Sequence, residues 1–317
     1  MNKIWRVTFV IVILAALVSG CAAQPAKGPT ALRIAALPIL DSLPLYVAEQ
    51  EGLFTQENLQ VEIIPVGSGP ERDQLIAAGQ ADAMINEMVS VIFFNKDAVK
   101  VQVVRYARAA SSGAALFSIL AGKDSGITAP ADLKGQPLGI SDGTVIAYLT
   151  ERMLAAEGLA AADLQTVSVP KLDARLALLN SGELKAAVLP EPLASLAVQQ
   201  GAAVVLDDTR YPQYSFSTYT MRKEYIDQNP EAVKAFNRAV EEAVKRINAD
   251  PAKYAQTLVD HKLLPQPLVG KFQVPAFVTA GVPDEDQFTD ALAWAKEKGY
   301  VSSDIAYKDC VTGDYLP

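Results

Sequence analysis

Polar residues able to bind a small molecule follow the predicted strands in two similar parts of the chain. The candidates in the first part are Asp41, Ser42, Ser68, Asn86 and Glu87, and those in the second part are Ser141, Asp142, Gly143, Thr144 and Glu191. Carboxylate oxygens accept hydrogen bonds strongly, so they suit ligands with hydroxyl, amine or ring N–H groups. Tyr148 and Tyr214 lie near the same loops, where their rings can stack on a flat ligand. These residue types predict a site for a small polar ring compound.

The same residues also have structural roles that need no ligand. The residues preferred as helix caps are Asp41, Ser42, Asp142 and Thr144. A cap is worth about 1 kcal/mol without any ligand contact, so both roles remain open for these four. Gly143 can relieve a tight turn. Arg72 and Arg175 begin short predicted helices and are expected to be surface charges, with ligand contact as the alternative.

Catalytic chemistry has little support in the sequence. His261 is the only histidine, and zinc needs three or four nitrogen or sulfur ligands. Neither a GxSxG nucleophile motif nor a GxxxxGK[ST] phosphate loop occurs. The pair Glu241–Glu242 is expected to lie on the solvated face of a helix. We therefore predict a protein that is not an enzyme, with no catalytic residue, metal site or cofactor.

The elements that position the candidate residues occur twice. EGLFTQENLQVEIIPV at 51–66 and EGLAAADLQTVSVPKL at 157–172 are similar, and matched landmarks recur at Pro65/Pro170 and Gly79/Gly182. Each copy predicts three strands joined by helices, and therefore a parallel sheet with right-handed crossovers. The predicted strands of the first copy are 32–37, 59–66 and 81–86, and those of the second are 136–141, 164–170 and the start of 184–192.

Two such sheets predict an α/β protein with two βαβ lobes, a hinge and a central ligand cleft. Lobe I is expected over 31–118 plus 212–317 and lobe II over 119–211, with connections near 117–126 and 202–215. The C-terminal third predicts helices that cover lobe I. One of them has Val233, Phe236, Val240, Val244 and Ile247 on one face. Because ligands bind beyond the carboxyl ends of parallel strands, the candidate residues are expected to share the cleft.

The N-terminus resembles a bacterial export signal. Lys3 and Arg6 precede a short apolar run that is too short to cross a bilayer, and LVSGC follows it. This ending resembles a lipobox, which implies a signal peptide over 1–20, lipidation at Cys21 and a tether over 21–30. The alternative is an ordinary cleaved signal with a chance cysteine. Cys310 is then left without a partner in the chain, and we expect a monomer anchored on the extracytoplasmic face of the membrane.

Several stretches resemble the solute-binding proteins of bacterial ABC importers. They are LPILDSLPLYVAEQEGLF, LIAAGQADAMINEMVS, ADLKGQPLGISDGT and AAVLPEPLASLAVQQGA, together with the lipobox. The resemblance is to the branch shared by alkanesulfonate, taurine and nitrate binders, thiamine-pyrimidine synthase-like proteins and riboflavin-binding lipoproteins. It implies a type II periplasmic-binding-protein fold, capture of a small molecule by lobe closure, and delivery to an ABC permease and its ATPase.

Charge guides the choice of ligand within this branch. The net charge of −8 argues against nucleic acid as a partner. The predicted loops hold more carboxylates than cations, and an anion beside a desolvated carboxylate is unfavourable. We therefore expect a neutral or cationic heterocycle, with riboflavin first. The alternatives are a thiamine-precursor pyrimidine, an alkanesulfonate- or taurine-type anion, or a membrane-tethered sensor domain. Pyrimidine synthesis is not expected, because the chain has no cysteine cluster.

Overall fold

The computed structural model describes residues 28–317. The predicted signal peptide 1–20, the lipidation site Cys21 and residues 21–27 of the predicted tether lie outside the described residues. Within residues 28–317, no helix is both long enough and apolar enough to cross a membrane.

The described part of the chain forms two five-stranded sheets. The first contains β1 (Thr30–Ala36), β2 (Leu59–Pro65), β3 (Ala83–Asn86), β4 (Val101–Ala109) and β10 (Phe216–Arg222), and the second contains β5 (Phe117–Ala121), β6 (Pro137–Ile140), β7 (Gln165–Ser168), β8 (Ala186–Pro190) and β9 (Ala203–Asp207). The strand order is β2-β1-β3-β10-β4 in the first sheet and β7-β6-β8-β5-β9 in the second. We call the first sheet, with the helices packed on it, lobe I. The second sheet, with its helices, is lobe II.

The predicted repeat forms the parallel part of each sheet. β1 pairs in parallel with β2 and β3, and β6 pairs in parallel with β7 and β8. Two further strands in each sheet were not predicted. β10 lies antiparallel between β3 and β4, and β5 lies antiparallel between β8 and β9. Each lobe is therefore a mixed sheet in which an antiparallel strand lies beside the parallel unit, and in lobe I that strand returns from beyond lobe II.

The chain passes between the two sheets at 110–116 and again at 208–215. The predicted connections near 117–126 and 202–215 include β5 and β9, and the predicted boundary at 118/119 falls inside β5. Asp208 joins the two crossings, because its carboxylate accepts hydrogen bonds from the backbone N–H groups of Leu116 (3.0 Å) and Phe117 (2.8 Å) and from the hydroxyl of Ser215. The two crossings are thus held together by one buried side chain.

Twelve α-helices occur within residues 28–317. They are α1 (Leu43–Gln50), α2 (Leu53–Gln56), α3 (Gly69–Ala77), α4 (Met88–Asn95), α5 (Val145–Ala156), α6 (Leu172–Ser181), α7 (Leu193–Gln199), α8 (Lys223–Gln228), α9 (Pro230–Ala249), α10 (Ala255–Asp260), α11 (Glu285–Glu297) and α12 (Tyr307–Cys310). Helix α9 packs against α1 and α2 of lobe I, as predicted for the C-terminal third. Cys310, at the end of α12, is buried and free.

The buried face of α9 follows its apolar spacing. The five predicted apolar residues of this helix are all buried. The expectation for Glu241 was wrong, since this side chain is buried and accepts a hydrogen bond from Arg105 Nη2 at 3.2 Å. A buried carboxylate needs a counter-charge, and Arg105 of β4 supplies it. Glu242 pairs instead with Arg246 on the same helix, at a partly exposed position.

Candidate functional site

A cavity lies between the two sheets, at the carboxyl ends of the parallel strands. It contains about 630 Å³ of empty space, including the part that is open to solvent. Its lining residues are Leu37, Ile39, Asp41, Gly69, Arg72, Ile85, Asn86, Glu87, Phe117, Ser141, Thr144, Val145, Ile146, Pro170, Leu172, Pro190 and Ser217. This is the position that parallel sheets favour for ligands, because loops and helix N-termini converge there.

Apolar side chains form most of the cavity wall. Nine of the lining residues are aliphatic, aromatic or proline residues, and both lobes supply them. From lobe I these are Leu37, Ile39 and Ile85, and from lobe II they are Phe117, Val145, Ile146, Pro170, Leu172 and Pro190. A wall of this kind with a few polar groups is typical of sites for small organic ligands.

On the lobe I side, Asp41 is paired with an arginine. Asp41 lies in the short 3-10 helix Leu40–Ser42 that follows β1. Its Oδ1 is 3.1 Å from Nη1 of Arg108, and both side chains are buried. Arg108 is in β4, immediately before the first crossing between the sheets, and its guanidinium lies 5.7 Å from the ring centroid of Phe277. The negative charge of Asp41 is therefore balanced at the edge of the cavity.

A second ion pair lies deeper in lobe I. Arg72 of α3 donates to Asp73 at 2.8 Å, to the backbone oxygen of Ile85 at 3.2 Å and to Glu87 at 3.3 Å. Arg72 is only 4% exposed, so the expectation of a surface charge was wrong. Burial lowers the pKa of Arg72, but the charges of Asp73 and Glu87 outweigh it and leave the pKa above its ordinary value.

Glu87 is held by two groups on the lobe I wall. It caps α4 by accepting from the backbone N–H of Ser90 at 2.9 Å, and it also accepts from Arg72. Burial raises the pKa of Glu87, and the nearby Arg72 charge offsets part of this increase. Next to it, the amide of Asn86 donates to Ser90 and accepts from Thr218. Both side chains are thus fixed in position before any ligand binds.

Lobe II contributes the N-terminus of a twelve-residue helix. Thr144 caps α5 by accepting from the backbone N–H of Ile146 at 3.2 Å, and its own hydroxyl donates to the backbone oxygen of Ser141 at 2.8 Å. Gly143 has a φ of 64°, a conformation that favours glycine and turns the chain into the helix. Ser141 and Thr144 line the cavity, so the positive end of the α5 dipole lies at its wall.

The structure brings together five of the predicted site residues at the cavity. These are Asp41, Asn86, Glu87, Ser141 and Thr144. Five other predicted residues lie beside these but do not line the cavity, and they are Ser42, Ser68, Asp142, Gly143 and Glu191. Ser42 donates to the backbone oxygen of Leu37, Ser68 caps α3, and Asp142 is exposed.

Glu191 occupies the N-terminal end of α7 without lining the cavity. Its carboxylate accepts from the backbone N–H of Ser195 at 3.3 Å, within one turn of that helix. Burial raises the pKa of Glu191, and the positive charge of Arg108 partly opposes this increase. Arg108 therefore acts electrostatically on carboxylates of both lobes, Asp41 directly and Glu191 from further away.

Tyr148 and Tyr214 are turned away from the cavity. Their rings meet edge to face at 6.1 Å, and Tyr148 also packs against Trp294 of α11 at 5.6 Å. The Tyr148 hydroxyl donates to Asp290 at 2.6 Å. Because α11 also packs on α4 of lobe I, these contacts join the two lobes. The expected stacking of these two tyrosines on a ligand has no support from their positions.

Arg175 differs from the other buried arginines near the site. Its side chain lies in α6 and is 0% exposed, so the expectation of a surface charge was wrong here too. Its Nε, Nη1 and Nη2 atoms have no hydrogen-bond partner within residues 28–317. Burial lowers the pKa of Arg175 to about 10.

The arginine partners of the site were the main omission from the sequence analysis. Arg108 was not identified, although Arg105 and Arg108 stand in the mostly apolar strand VQVVRYARA. Arginines in such a strand indicate buried ion pairs, because a buried charge is rarely left unpaired. The cavity has no excess of acid, since its two lining carboxylates are paired with Arg108 and Arg72. The charge argument for a cationic ligand therefore fails.

No group of three or more histidine, cysteine, aspartate or glutamate side chains in the described ranges is arranged to hold a metal ion. His261 lies at the end of α10, where its ring stacks on Tyr46 at 3.9 Å. This histidine is outside the cavity lining.

Residues 40–254, more than half of the chain, match the family described as NMT1/THI5 like. A putative thiamine biosynthesis protein of Haemophilus influenzae is 27% identical over 232 residues, which cover 70% of this chain and 70% of that protein.

Solved structures share the architecture at low sequence identity. The periplasmic aliphatic sulphonate binding protein of Escherichia coli has a TM-score of 0.72 at 19% identity, covering 88% of this chain and 96% of that one. A desulfurization enzyme has a TM-score of 0.68 at 14% identity, covering 90% and 97%. The predicted periplasmic-binding fold is therefore confirmed. Because a binder and an enzyme share it, the fold does not decide the function.

Proposed function

The chain belongs to the NMT1/THI5-like family, and we propose that it is the solute-binding protein of an ABC importer that captures a small planar heterocycle of the thiamine-precursor pyrimidine kind. The observation that carries this proposal is the character of the cavity. Its wall is largely apolar, and the charged side chains that line it, Asp41, Arg72 and Glu87, all belong to buried ion pairs.

The apolar wall favours a flat ring over a hydrated inorganic ion. Ile85 of lobe I and Phe117, Val145 and Leu172 of lobe II give the ring apolar contact from both sides. Burying such surface is worth about 25 cal/mol per Å², which a small hydrated anion does not gain. The ring is held between the two lobes, so its binding favours their closure.

The fixed polar groups suit the edge of an aminopyrimidine. Carboxylate oxygens of Asp41 and Glu87 accept from an exocyclic amine, and the hydroxyls of Ser141 and Ser217 either donate to or accept from a ring nitrogen. Because the side chains of Asp41, Glu87 and Ser217 are already positioned by their own hydrogen bonds, little conformational entropy is lost on binding. The name of the Haemophilus influenzae relative is consistent with this ligand class.

Riboflavin has less support than the pyrimidine. Its selection rested on an excess of carboxylates and on tyrosine stacking, and neither is present at the cavity. The second candidate is an alkanesulfonate-type anion. The N-terminal residues of α3 and α5 and the side chain of Arg72 line the cavity, and helix N-termini and arginines favour anions.

We infer a wider role of the kind that the sequence resemblance implies. The binding protein is a monomer, tethered outside the cytoplasm through Cys21, and it presents its ligand to a membrane permease driven by an ATPase. In this proposal the ligand is bound and released without chemical change.

The ligand class is tested on the protein as it is purified under native conditions. Mass spectrometry identifies any small molecule that co-purifies, and thermal unfolding is then measured with an aminopyrimidine, riboflavin, taurine and an alkanesulfonate. A true ligand at a hundred times its dissociation constant stabilises the protein by about 2.7 kcal/mol. We expect this response from the aminopyrimidine, recovered unchanged. Saturable binding of the sulfonate alone, or conversion of the pyrimidine, would overturn the proposal.

A further inference from the structure

Arg175 is the unexplained charge closest to the proposed site. Of the four buried arginines within residues 28–317, Arg72, Arg105 and Arg108 each contact a carboxylate. Arg175 has no ion pair and no hydrogen bond from any guanidinium nitrogen within residues 28–317. An isolated buried charge is strongly unfavourable, and a guanidinium in this position is satisfied either by ordered water or by a bound ligand.

Arg175 does not line the cavity, but its helix begins at the cavity wall. It lies one helical turn after Leu172, which lines the cavity at the N-terminus of α6. Side chains on a helix lean toward its N-terminus, and here that is the cavity end. The stem of Arg175 crosses β6 at Gly139, two residues before Ser141 of the cavity wall, because a Cβ built on Gly139 would lie 3.3 Å from Arg175 Cγ.

The two lobes therefore offer different chemistry to a ligand. Lobe I presents the balanced pairs of Asp41 and Glu87, whereas lobe II presents the N-terminus of α5 and, one helical turn after Leu172, an arginine without a partner. A guanidinium binds planar or tetrahedral oxyanions through two parallel hydrogen bonds. A ligand oriented by both lobes carries hydrogen-bond donors at one end and an oxyanion at the other.

We propose that Arg175 is a specificity-determining residue that binds an oxyanion substituent of the ligand, such as a phosphate, carboxylate or sulfonate, as the lobes close and Leu172 moves aside. This proposal rests on the proposed solute-binding function and narrows its ligand to a heterocycle with an anionic substituent. The lowered pKa of Arg175, about 10, is still far above neutral pH, so the guanidinium is charged in the ligand-free protein.

The test compares Arg175→Met with the wild type and with Arg210→Met. Arg210 is an exposed arginine in the second crossing, paired with Glu157 of lobe II, so its replacement controls for the loss of one positive charge. Thermal unfolding is measured without ligand, and calorimetric binding is measured with a pyrimidine before and after phosphorylation. Arg175→Lys is the conservative variant, which keeps the charge but not the two parallel hydrogen bonds.

We expect Arg175→Met to raise the melting temperature of the free protein, because an unpaired buried charge is removed. The same variant should weaken binding of the phosphorylated pyrimidine by about 10- to 100-fold and leave the unphosphorylated compound unchanged. Arg175→Lys should restore part of the loss, and Arg210→Met should change neither property.

Two results would overturn the role of Arg175. One is a lower melting temperature of the free Arg175→Met protein with no change in the preference between the two pyrimidines, which indicates a structural residue. The other is equal binding of both pyrimidines by the wild type. Failure of every pyrimidine to bind contradicts the proposed function instead, and the melting temperature of the free variant still reports separately on Arg175.

Discussion

Asp41 and Arg108 form a buried ion pair of 3.1 Å that connects the loop after β1 with the strand leading into the first crossing between the lobes. The pair connects one wall of the cavity to the strand that leads into the first crossing between the lobes. Removing one partner leaves the other charge buried and uncompensated, which is far more costly than losing a surface pair.

Replacement of Asp41 by asparagine should therefore destabilise the protein. We expect Asp41→Asn to lower the free energy of unfolding by about 3 kcal/mol, as measured by urea denaturation. The matched control is Glu57→Gln, which breaks the pair with Arg238 at a partly exposed position. That control should lose less than about 1 kcal/mol. Equal losses for the two variants would show that the Asp41 pair is not desolvated.

Glu87 is expected to contribute to ligand affinity as well as to the position of Arg72. Glu87→Gln keeps the shape of the side chain but removes its charge, so both the ligand amine and Arg72 lose a strong acceptor. Calorimetry with the aminopyrimidine should show binding weakened by about tenfold or more. Glu71→Gln is the control, since Glu71 is an exposed carboxylate in the first turn of α3 that accepts from the backbone of Gly67. The affinity of the Glu71→Gln protein for the aminopyrimidine should stay within about twofold of the wild-type value.

Asp208 should give the stability of the protein a distinct pH dependence. Burial raises the pKa of Asp208 to about 6 from an ordinary 3.8, so between these values the folded form binds more protons than the unfolded form. The contribution of this group to stability is thus fully present below about pH 4 and is lost as the pH rises through 6. The wild type should gain up to about 3 kcal/mol relative to Asp208→Asn between pH 7 and pH 4.

That comparison is made by chemical denaturation at constant ionic strength. Parallel pH profiles for the two proteins would contradict the raised pKa. A carboxyl carbon chemical shift that titrates near pH 6 in the wild type identifies the group directly.

Gly139 gives a prediction about packing behind the cavity. A Cβ at this position would lie 2.5 Å from Leu184 Cδ1 and 3.3 Å from Arg175 Cγ, so Gly139→Ala should cost about 1–3 kcal/mol through overpacking. Gly113→Ala is the control, because a Cβ there meets no atom within 4 Å. It should leave the unfolding free energy nearly unchanged or slightly raise it. A neutral Gly139→Ala would mean that Leu184 and Arg175 have free room to move.

The sequence predicted the parallel units of both sheets because the patterns that specify them lie in short, consecutive stretches of the chain. Strand, helix and turn signals recur in the same order in the two copies, and Pro65/Pro170 and Gly79/Gly182 mark equivalent points. β10 could not be predicted in the same way. Its place between β3 and β4 depends on pairing with strands more than a hundred residues away, for example Thr218 with Asn86, and no local pattern records that pairing.

The sequence predicted which residues lie at the cavity better than it predicted the arginines that pair with them. Asp41, Asn86, Glu87, Ser141 and Thr144 were found because the carboxyl ends of parallel strands must meet. Their ion-pair partners were missed for two reasons. Arg108 lies in β4, a strand that the sequence did not predict, and Arg72 resembled an ordinary residue of a short surface helix. Tyr148 was misplaced because helix periodicity does not show which neighbour a buried ring will face, and here the neighbour is α11.

The contact between Tyr148 and Trp294 has a practical consequence for experiments. Trp294 is the single tryptophan of residues 28–317, and its indole N–H donates to Glu151 of α5 at 2.9 Å. Helix α11, which carries Trp294, also packs on α4 of lobe I. Any rotation of α5 relative to α11 changes the surroundings of this indole, so its ultraviolet emission reports domain movement in real time, without a dye or an engineered label.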